Sequence, residues 1–365
     1  MRSTVSNMKT SQISPRKEVL GLSPYTPGEQ PKVGERVIKL NTNENPYPPS
    51  PKIKAEIQEI LDKGFLRKYP HYNSEALRNS IAKKYKLHPD QILVTNGSDE
   101  ALRLLFQAVL GPGDSILAPE PTYSLYPVLV EQLMCGVRFE TSPLLSNLHM
   151  NLEDLQSRQA KLLAFAHPNA PTGIKEAKSD LISLIKSFPG YVLSDEAYID
   201  FAEDGESLID EIQHNANLIV TRTFSKSYSL AGLRVGYLVA SKELVANIQK
   251  LKDSYNVGML EQKIAQIAFE DETYFSESRK KVIVERQRLK QALEALDFFI
   301  PESHTNFLFC KPLGATSPEE IYIRLKDRNI FVRYFSKGIS RNYVRISIGT
   351  SEESDLLLEA LREIL

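Results

Sequence analysis

The sequence predicts an α/β protein, a large domain with a mostly parallel sheet followed by a smaller α+β domain. Three observations carry this. Between residues 53 and 254, short apolar runs alternate with amphipathic helical stretches, and strands separated by helices need crossover connections. Beyond Ser254 the pattern changes to a long charged helical stretch, short strands and a final helix. Before residue 46 the chain is polar and interrupted by Pro15, Pro24, Pro27 and Pro31, which reads as an extended arm. The expected bounds are 1–45 for the arm, packed with the small domain, 46–254 for the large domain and 255–365 for the small one.

The elements follow in order. Pro46, Pro48, Pro49 and Pro51 make a turn before a helical stretch at 53–61. Residues 92–94 are the first strand, and Asn96 to Glu100 open a helix with Leu102, Leu105, Phe106 and Val109 on one face. Gly111 to Asp114 form a turn into a strand at 116–118. Further strands are expected at 161–166, 191–194, 218–221 and 236–240. One helical stretch is expected over 263–296, then strands at 307–310, 330–333 and 343–348, and a helix at 351–365.

Composition excludes several classes. Of 365 residues, 42% are hydrophobic and 25% charged, enough apolar material for a core, so global disorder is excluded. Forty-five basic and 46 acidic residues leave a net charge of -1, so no chain-wide field exists to hold nucleic acid or an anionic membrane. Cys135 and Cys310 cannot build a disulfide framework, and with no nearby Cys/His pair they make no zinc site. A reducing, cytoplasmic compartment and no metal are expected. No run approaches the roughly 20 apolar residues of a membrane span. Arg2, Lys9, Arg16 and Lys17 all precede the first acidic residue, Glu18, and could pass for a transit peptide, but without an amphipathic period the segment reads as a polar arm.

Parallel sheets bind ligands at the carboxyl ends of their strands. After the first strand stands Asn96-Gly97-Ser98-Asp99-Glu100, where free N–H groups and the helix dipole suit a phosphate. An ordinary cap by Ser98 would give the same letters. Later strands end in His167-Pro168-Asn169-Ala170-Pro171-Thr172-Gly173, in Asp195-Glu196-Ala197-Tyr198, and ahead of Ser225-Lys226 with Arg234. Each alone has a dull explanation: Asp195 as a cap, Tyr198 as a half-buried aromatic, Lys226 as a solvated lysine. Their order, with Tyr123 between, is what suggests a site.

That series resembles the fold type I pyridoxal-phosphate (PLP) aminotransferases, over nearly the whole chain after the arm. More narrowly it is similar to the histidinol-phosphate aminotransferase family, through Pro24 to Gly28, Leu40 to Pro46, Lys68-Tyr69-Pro70, Pro121-Thr122-Tyr123, Arg222 to Arg234 and Val344 to Thr350. The resemblance implies a seven-stranded, mostly parallel sheet. It implies that Lys226 carries the cofactor and moves the substrate proton, a role suited to an amine whose pKa falls on desolvation. Asp195 would face the pyridine nitrogen and keep it protonated. Tyr198 would bond the phenolic oxygen and Tyr123 would stack on the ring. Gly97, Ser98, Asp99, Ser225 and Arg234 would hold the phosphate, and Tyr69 would reach the phosphate of a partner subunit in a homodimer with shared sites. Arg345 would clamp the substrate anion with its planar fork, aided by Arg333 and Tyr25, with Asn43 and Glu44 lining the far side. One departure stands out: the family has asparagine directly before Pro-Thr-Gly, and here that position is Ala170, with Asn169 one place earlier. Either Asn169 reaches the cofactor from that adjacent position, or Tyr198 bonds the phenolic oxygen alone. His71 and His167 are expected to be ordinary loop residues.

The implied reaction is transamination of L-histidinol phosphate with 2-oxoglutarate in L-histidine biosynthesis. A broad aromatic amino-acid aminotransferase or a PLP-dependent decarboxylase of a phosphorylated hydroxy-amino acid would use the same site. A PLP-binding regulator is disfavoured because the arm has no room for a helix-turn-helix. An NAD-binding protein is disfavoured because no Gly-x-Gly-x-x-Gly follows the first strand.

Overall fold

The computed structural model describes residues 14–32, 34–203 and 205–365. The expectations about residues 1–13 lie outside the described residues. The arm enters the fold through β1 (Ile38–Lys39), which pairs in parallel with Ile330–Phe331 of the C-terminal part.

The apolar runs of the middle region assemble into one sheet: β2 (Ile92–Thr95), β3 (Ser115–Glu120), β4 (Arg138–Pro143), β5 (Leu162–Ala166), β6 (Tyr191–Asp195), β7 (Leu218–Thr223) and β8 (Gly236–Val239). Its order is β2-β8-β7-β6-β5-β3-β4. β8 runs antiparallel to both its neighbours and every other pair is parallel. The continuous apolar runs are explained by burial of both faces. Alternate side chains leave a strand on opposite sides, so Leu162 and Ala164 enter one core while Leu163 and Phe165 enter the other. The first core also holds Leu102, Leu105 and Phe106 of the helix after β2; the second holds Leu77, Ile81, Leu181 and Leu184.

Two elements differ from the expectation. β4 was not anticipated; it is the edge strand, with only Ser142 fully buried, so it lacks an apolar run. The single helical stretch at 263–296 is two helices, Met259–Glu270 and Glu272–Glu294. They part at Asp271, whose backbone leaves the helical region at φ -87°, ψ 66°. Its carboxylate accepts hydrogen bonds from Ser50 Oγ at 2.6 Å and Lys52 Nζ at 2.7 Å. The first of these helices, beyond the expected boundary at 254, places Ile264, Ala265, Ala268 and Phe269 in the core of the large sheet.

The C-terminal part adds β9 (Phe298–Phe299), β10 (Phe307–Pro312), β11 (Ile330–Phe331), β12 (Arg333–Tyr334) and β13 (Val344–Ser347). An antiparallel sheet runs β12-β13-β10-β9, and β11 is the partner of β1. Leu308, Cys310, Val344 and Ile346 pack with Leu289, Leu293, Ile321, Leu325, Leu357 and Leu361 from helices, and Leu40 of the arm joins them. The last helix, Ser351–Ile364, starts with a reciprocal cap between Thr350 and Glu353. Among the described residues no helix is long and apolar enough to cross a membrane.

Candidate active site

A cavity of about 400 Å³ opens where the large sheet's strand ends meet the arm and the small sheet. Ala166, Asp195 and Thr223 line it from the C-terminal ends of β5, β6 and β7.

One pole is built for an anion. Gly97 opens the helix Gly97–Val109, whose first N–H groups have no partner inside the helix. Gly97 sits at φ +76°, and a Cβ there would lie 2.6 Å from Arg234 Nη2. Glycine is therefore what lets the guanidinium close on the helix start. Arg234 donates to Asp99 Oδ2 at 3.1 Å and to Ser225 Oγ at 3.4 Å. The Ser225 N–H donates to Thr223 Oγ1 at 3.1 Å, so the Thr223 hydroxyl in turn donates to Ser225 Oγ at 3.0 Å. That leaves the Ser225 hydrogen free for a ligand in the cavity it lines.

Asp195 is 3% exposed. Tyr126 donates to its Oδ2 at 3.1 Å and Thr221 to its Oδ1 at 3.0 Å. No cation is paired with it among the described residues. Burial therefore dominates and pushes its pKa up to about 6, against the hydroxyl bonds that favour the charge. Tyr123 lies edge-on to Tyr126, with ring centroids 5.6 Å apart, and donates to Asp99 Oδ1 at 3.2 Å.

Lys226 reaches in from the loop after β7. Its Nζ donates to the Thr42 carbonyl at 3.0 Å and lies 5.8 Å from the Tyr198 ring centroid. The backbone around it is fixed: Asn45 Nδ2 donates to the carbonyls of Lys226 and Ser227 at 3.2 and 3.3 Å. Ser227 bonds Asp200, Asp200 pairs with buried Arg222, and Arg222 also pairs with Glu196 at 3.2 Å. The loops carrying Asp195 and Lys226 are thus tied through one buried ionic network. Tyr198 packs edge-on to Phe307 at 5.1 Å and its hydroxyl accepts from Asn43 Nδ2 at 2.9 Å.

The other pole is cationic. Arg333 on β12 and Arg345 on β13 are directly opposite in register. Arg345 donates to the Asn41 carbonyl at 3.0 Å, with its guanidinium 5.2 Å from the Phe307 and 5.5 Å from the Phe335 ring centroids. Arg333 lies 5.3 Å from Phe335 and donates to the carbonyls of Pro27 and Thr26. Arg345 Nε is buried without a partner, and neither arginine has an acidic partner among the described residues. Burial lowers the Arg345 pKa, and Arg333 adds to that while Tyr198, Tyr25 and Tyr123 oppose it. A pair of close cations without a carboxylate awaits an anion.

Most of the expected residues converge. Tyr25, Asn43, Ser98, Asp99, Tyr123, Asp195, Tyr198, Ser225, Lys226, Arg234, Arg333 and Arg345 line the cavity, and Gly97 underlies it. Asn169 is a correction. Its Nδ2 donates to the Pro121 carbonyl at 3.0 Å and to Thr172 Oγ1 at 3.1 Å, so it braces the turn, and the methyl of Ala170 faces the cavity instead. Tyr69 is outside the cavity, 79% exposed and stacked on Tyr255 at 4.5 Å. His167 is the ordinary loop residue expected: it lies on the bend after β5, outside the cavity lining, and burial pulls its pKa down to about 4, so it is neutral at pH 7. Tyr126, Thr221, Thr223 and Phe335 were missed. Thr221 had a signal, because the parallel register sets it beside Asp195. Phe335, on a loop after β12, had none.

The residues fit pyridoxal phosphate. A buried carboxylate without a cation suits a protonated ring nitrogen, the Gly97 and Arg234 cradle suits a phosphate, and the Lys226 amine stands 5.8 Å from the Tyr198 ring centroid. Comparisons with known proteins agree. The family model described as aminotransferase class I and II matches residues 35–361. Histidinol-phosphate aminotransferase of Syntrophus aciditrophicus is 41% identical over 97% of this chain and 98% of its own. Histidinol-phosphate aminotransferase 1 of Trichormus variabilis is 38% identical over 96% and 98%. The crystal structure of histidinol-phosphate aminotransferase from Sinorhizobium meliloti in complex with pyridoxal-5'-phosphate superposes with a TM-score of 0.87 at 24% identity, covering 98% of this chain and 99% of that one. That from Clostridium acetobutylicum gives 0.82 at 26% identity, covering 89% and 98%.

Proposed function

The chain belongs to the class I and II aminotransferases, a PLP-dependent family, and we propose that it moves the amino group of L-histidinol phosphate to 2-oxoglutarate in L-histidine biosynthesis. The observation that carries the choice of substrate is the facing pair Arg333 and Arg345, free of any acidic partner among the described residues. Histidinol phosphate has a phosphate and no carboxylate, so a doubled positive site suits its dianion. Glutamate offers carboxylates to the same fork in the other half-reaction.

Bound PLP supplies the electron sink for the bond broken at the substrate's α-carbon. The protein does the rest. Lys226 would hold the cofactor, and its Nζ would take the substrate's α-proton and return it. The Thr42 carbonyl, 3.0 Å away, keeps that nitrogen turned into the cavity. Asp195 would pair with the ring nitrogen's proton, which would offset the cost of burying an unpaired carboxylate. Tyr198, which lines the cavity, would donate to the cofactor's phenolic oxygen, and Tyr123 would lie against its ring. Gly97, Ser98 and Asp99 offer N–H groups, and Ser225 and Arg234 add charge-assisted bonds to the phosphate. Tyr25 and Phe335 close the substrate end.

We infer a homodimer from exposed apolar residues close together in the chain, Phe65, Leu66, Tyr69 and Tyr72, with Tyr255 stacked on Tyr69. A clustered patch of this kind marks an interface, and Tyr69 would cross it to a partner's phosphate site. The two free thiols suit the reducing cytoplasm.

A donor panel with 2-oxoglutarate tests the substrate: histidinol phosphate, phenylalanine, tyrosine and threonine phosphate. Histidinol phosphate is expected to give the highest kcat/KM. A higher value for phenylalanine or tyrosine would overturn that assignment, and carbon dioxide release from threonine phosphate would replace transamination with decarboxylation.

A further inference from the structure

Asn43 was expected to line the substrate's far side, but its polar groups are engaged within the protein. It is 1% exposed and holds a left-handed backbone at φ +55°, which asparagine tolerates. Its N–H donates to Ser347 Oγ at 2.9 Å. A backbone N–H can only donate, so Ser347 Oγ is the acceptor there and its own hydrogen goes to Asn43 Oδ1, at 3.0 Å. The amide oxygen is thereby turned toward Ser347 and Nδ2 toward Tyr198, whose hydroxyl accepts at 2.9 Å. The Asn43 carbonyl accepts from Asn306 Nδ2 at 2.9 Å.

Bond directions follow along the whole chain of groups. A phenol has one hydrogen and can accept through its lone pairs. With an acceptor site taken by Asn43, the Tyr198 hydrogen is released toward the cavity that both residues line. Ala170 offers no polar group there, and Asn169 is turned away to Pro121 and Thr172.

We propose that Asn43 is a positioning residue that aims the Tyr198 hydroxyl at the cofactor's phenolic oxygen, and that Ser347 sets the orientation of Asn43. The relay joins three bodies: Tyr198 from the large sheet, Asn43 from the arm and Ser347 on β13 of the small sheet. The donor aimed at the cofactor is therefore in place only when arm and small sheet are seated. The proposal rests on PLP lying in this cavity, and it assigns Asn43 to the tyrosine, not to the substrate.

The test is the pH titration of the visible absorbance of PLP-loaded protein without substrate. A donor on the phenolic oxygen stabilises its deprotonated form, so losing that donor moves the titration midpoint upward. Tyr198→Phe removes the donor, and Asn43→Ala and Ser347→Ala misaim it. Loss of one hydrogen bond to a charged oxygen corresponds to a shift of about one to two pH units. Asn43→Ala should shift upward by that amount and Ser347→Ala by less, and Asn43→Ala should add nothing in a Tyr198→Phe background. Ser347→Ala leaves Asn43 in place, so it serves if Asn43→Ala does not fold. Parent-like midpoints in Asn43→Ala, or in Ser347→Ala if it is the variant that folds, would overturn the relay. So would full additivity with Tyr198→Phe. A raised KM for the amino donor with an unmoved midpoint would return Asn43 to a substrate contact. Failure of the parent to develop any visible band with PLP would instead reject the cofactor site itself.

Discussion

Replacing Asp195 with asparagine should stabilise the cofactor-free protein while removing most of its activity. The carboxyl is 3% exposed with no cation beside it among the described residues, and burial lifts its pKa from 3.8 to about 6. The folded state therefore holds the proton more tightly than the unfolded chain. Stability from this group is full below pH 3.8 and is lost as pH rises through about 6. A shift of about two units at about 1.4 kcal/mol each amounts to about 3 kcal/mol above pH 7. Asparagine keeps the shape, and Tyr126 and Thr221 can each still bond to its amide. For a chain of this length each kcal/mol moves Tm by about 2 °C, so the gain is about 6 °C. The assay is thermal unfolding of cofactor-free parent and Asp195→Asn from pH 4 to 8. The difference should be near zero at pH 4, grow between pH 4 and 7, and level off above. With PLP bound the order should reverse, and turnover should fall about 100-fold or more. A pH-independent difference, or a cofactor-free parent that is the more stable at pH 8, would show that Asp195 is not an unpaired buried acid.

Gly97→Ala places a methyl 2.6 Å from Arg234 Nη2 at a positive φ; the apparent Kd for PLP, followed by fluorescence quenching, should rise about 10-fold or more. Arg345→Ala removes charge-assisted bonds of about 1.5–3 kcal/mol, so kcat/KM for both histidinol phosphate and glutamate should fall at least 10-fold; loss for only one would show that they use different anion sites. Arg222→Met leaves Glu196 and Asp200 without their buried cation, and urea unfolding should show a loss of about 3 kcal/mol or more. Mixing inactive Lys226→Ala and impaired Tyr69→Ala proteins should restore activity if Tyr69 serves the partner's site; no recovery in verified mixed dimers would confine Tyr69 to its own chain.

The strands buried on both faces were legible because each is a short uninterrupted apolar run, as in Leu162 to Ala166. β4 was not, because an edge strand such as Arg138–Pro143 buries too little to need one. The break at Asp271 depends on Ser50 and Lys52, some 220 positions away, and charged residues on both sides hid it. The chemistry at strand ends was legible because the sheet delivers Asp195, Lys226 and Arg234 to one rim in order. Asn169 was misread because side-chain direction depends on the path of the turn after His167, where Ala170 takes the inward place. The hydrogen-bond partners of Asn43 were not legible because Tyr198 and Ser347 lie 155 and 304 positions away.

Reduction of the PLP-loaded protein with borohydride, then peptide mapping by mass spectrometry, would show which amine the cofactor occupies. One pyridoxyl phosphate per chain should be found on the peptide that contains Lys226, with none in Lys226→Ala. A label on Lys39 or Lys175, or a reduced parent that still transaminates at its full rate, would mean the reacting amine lies elsewhere.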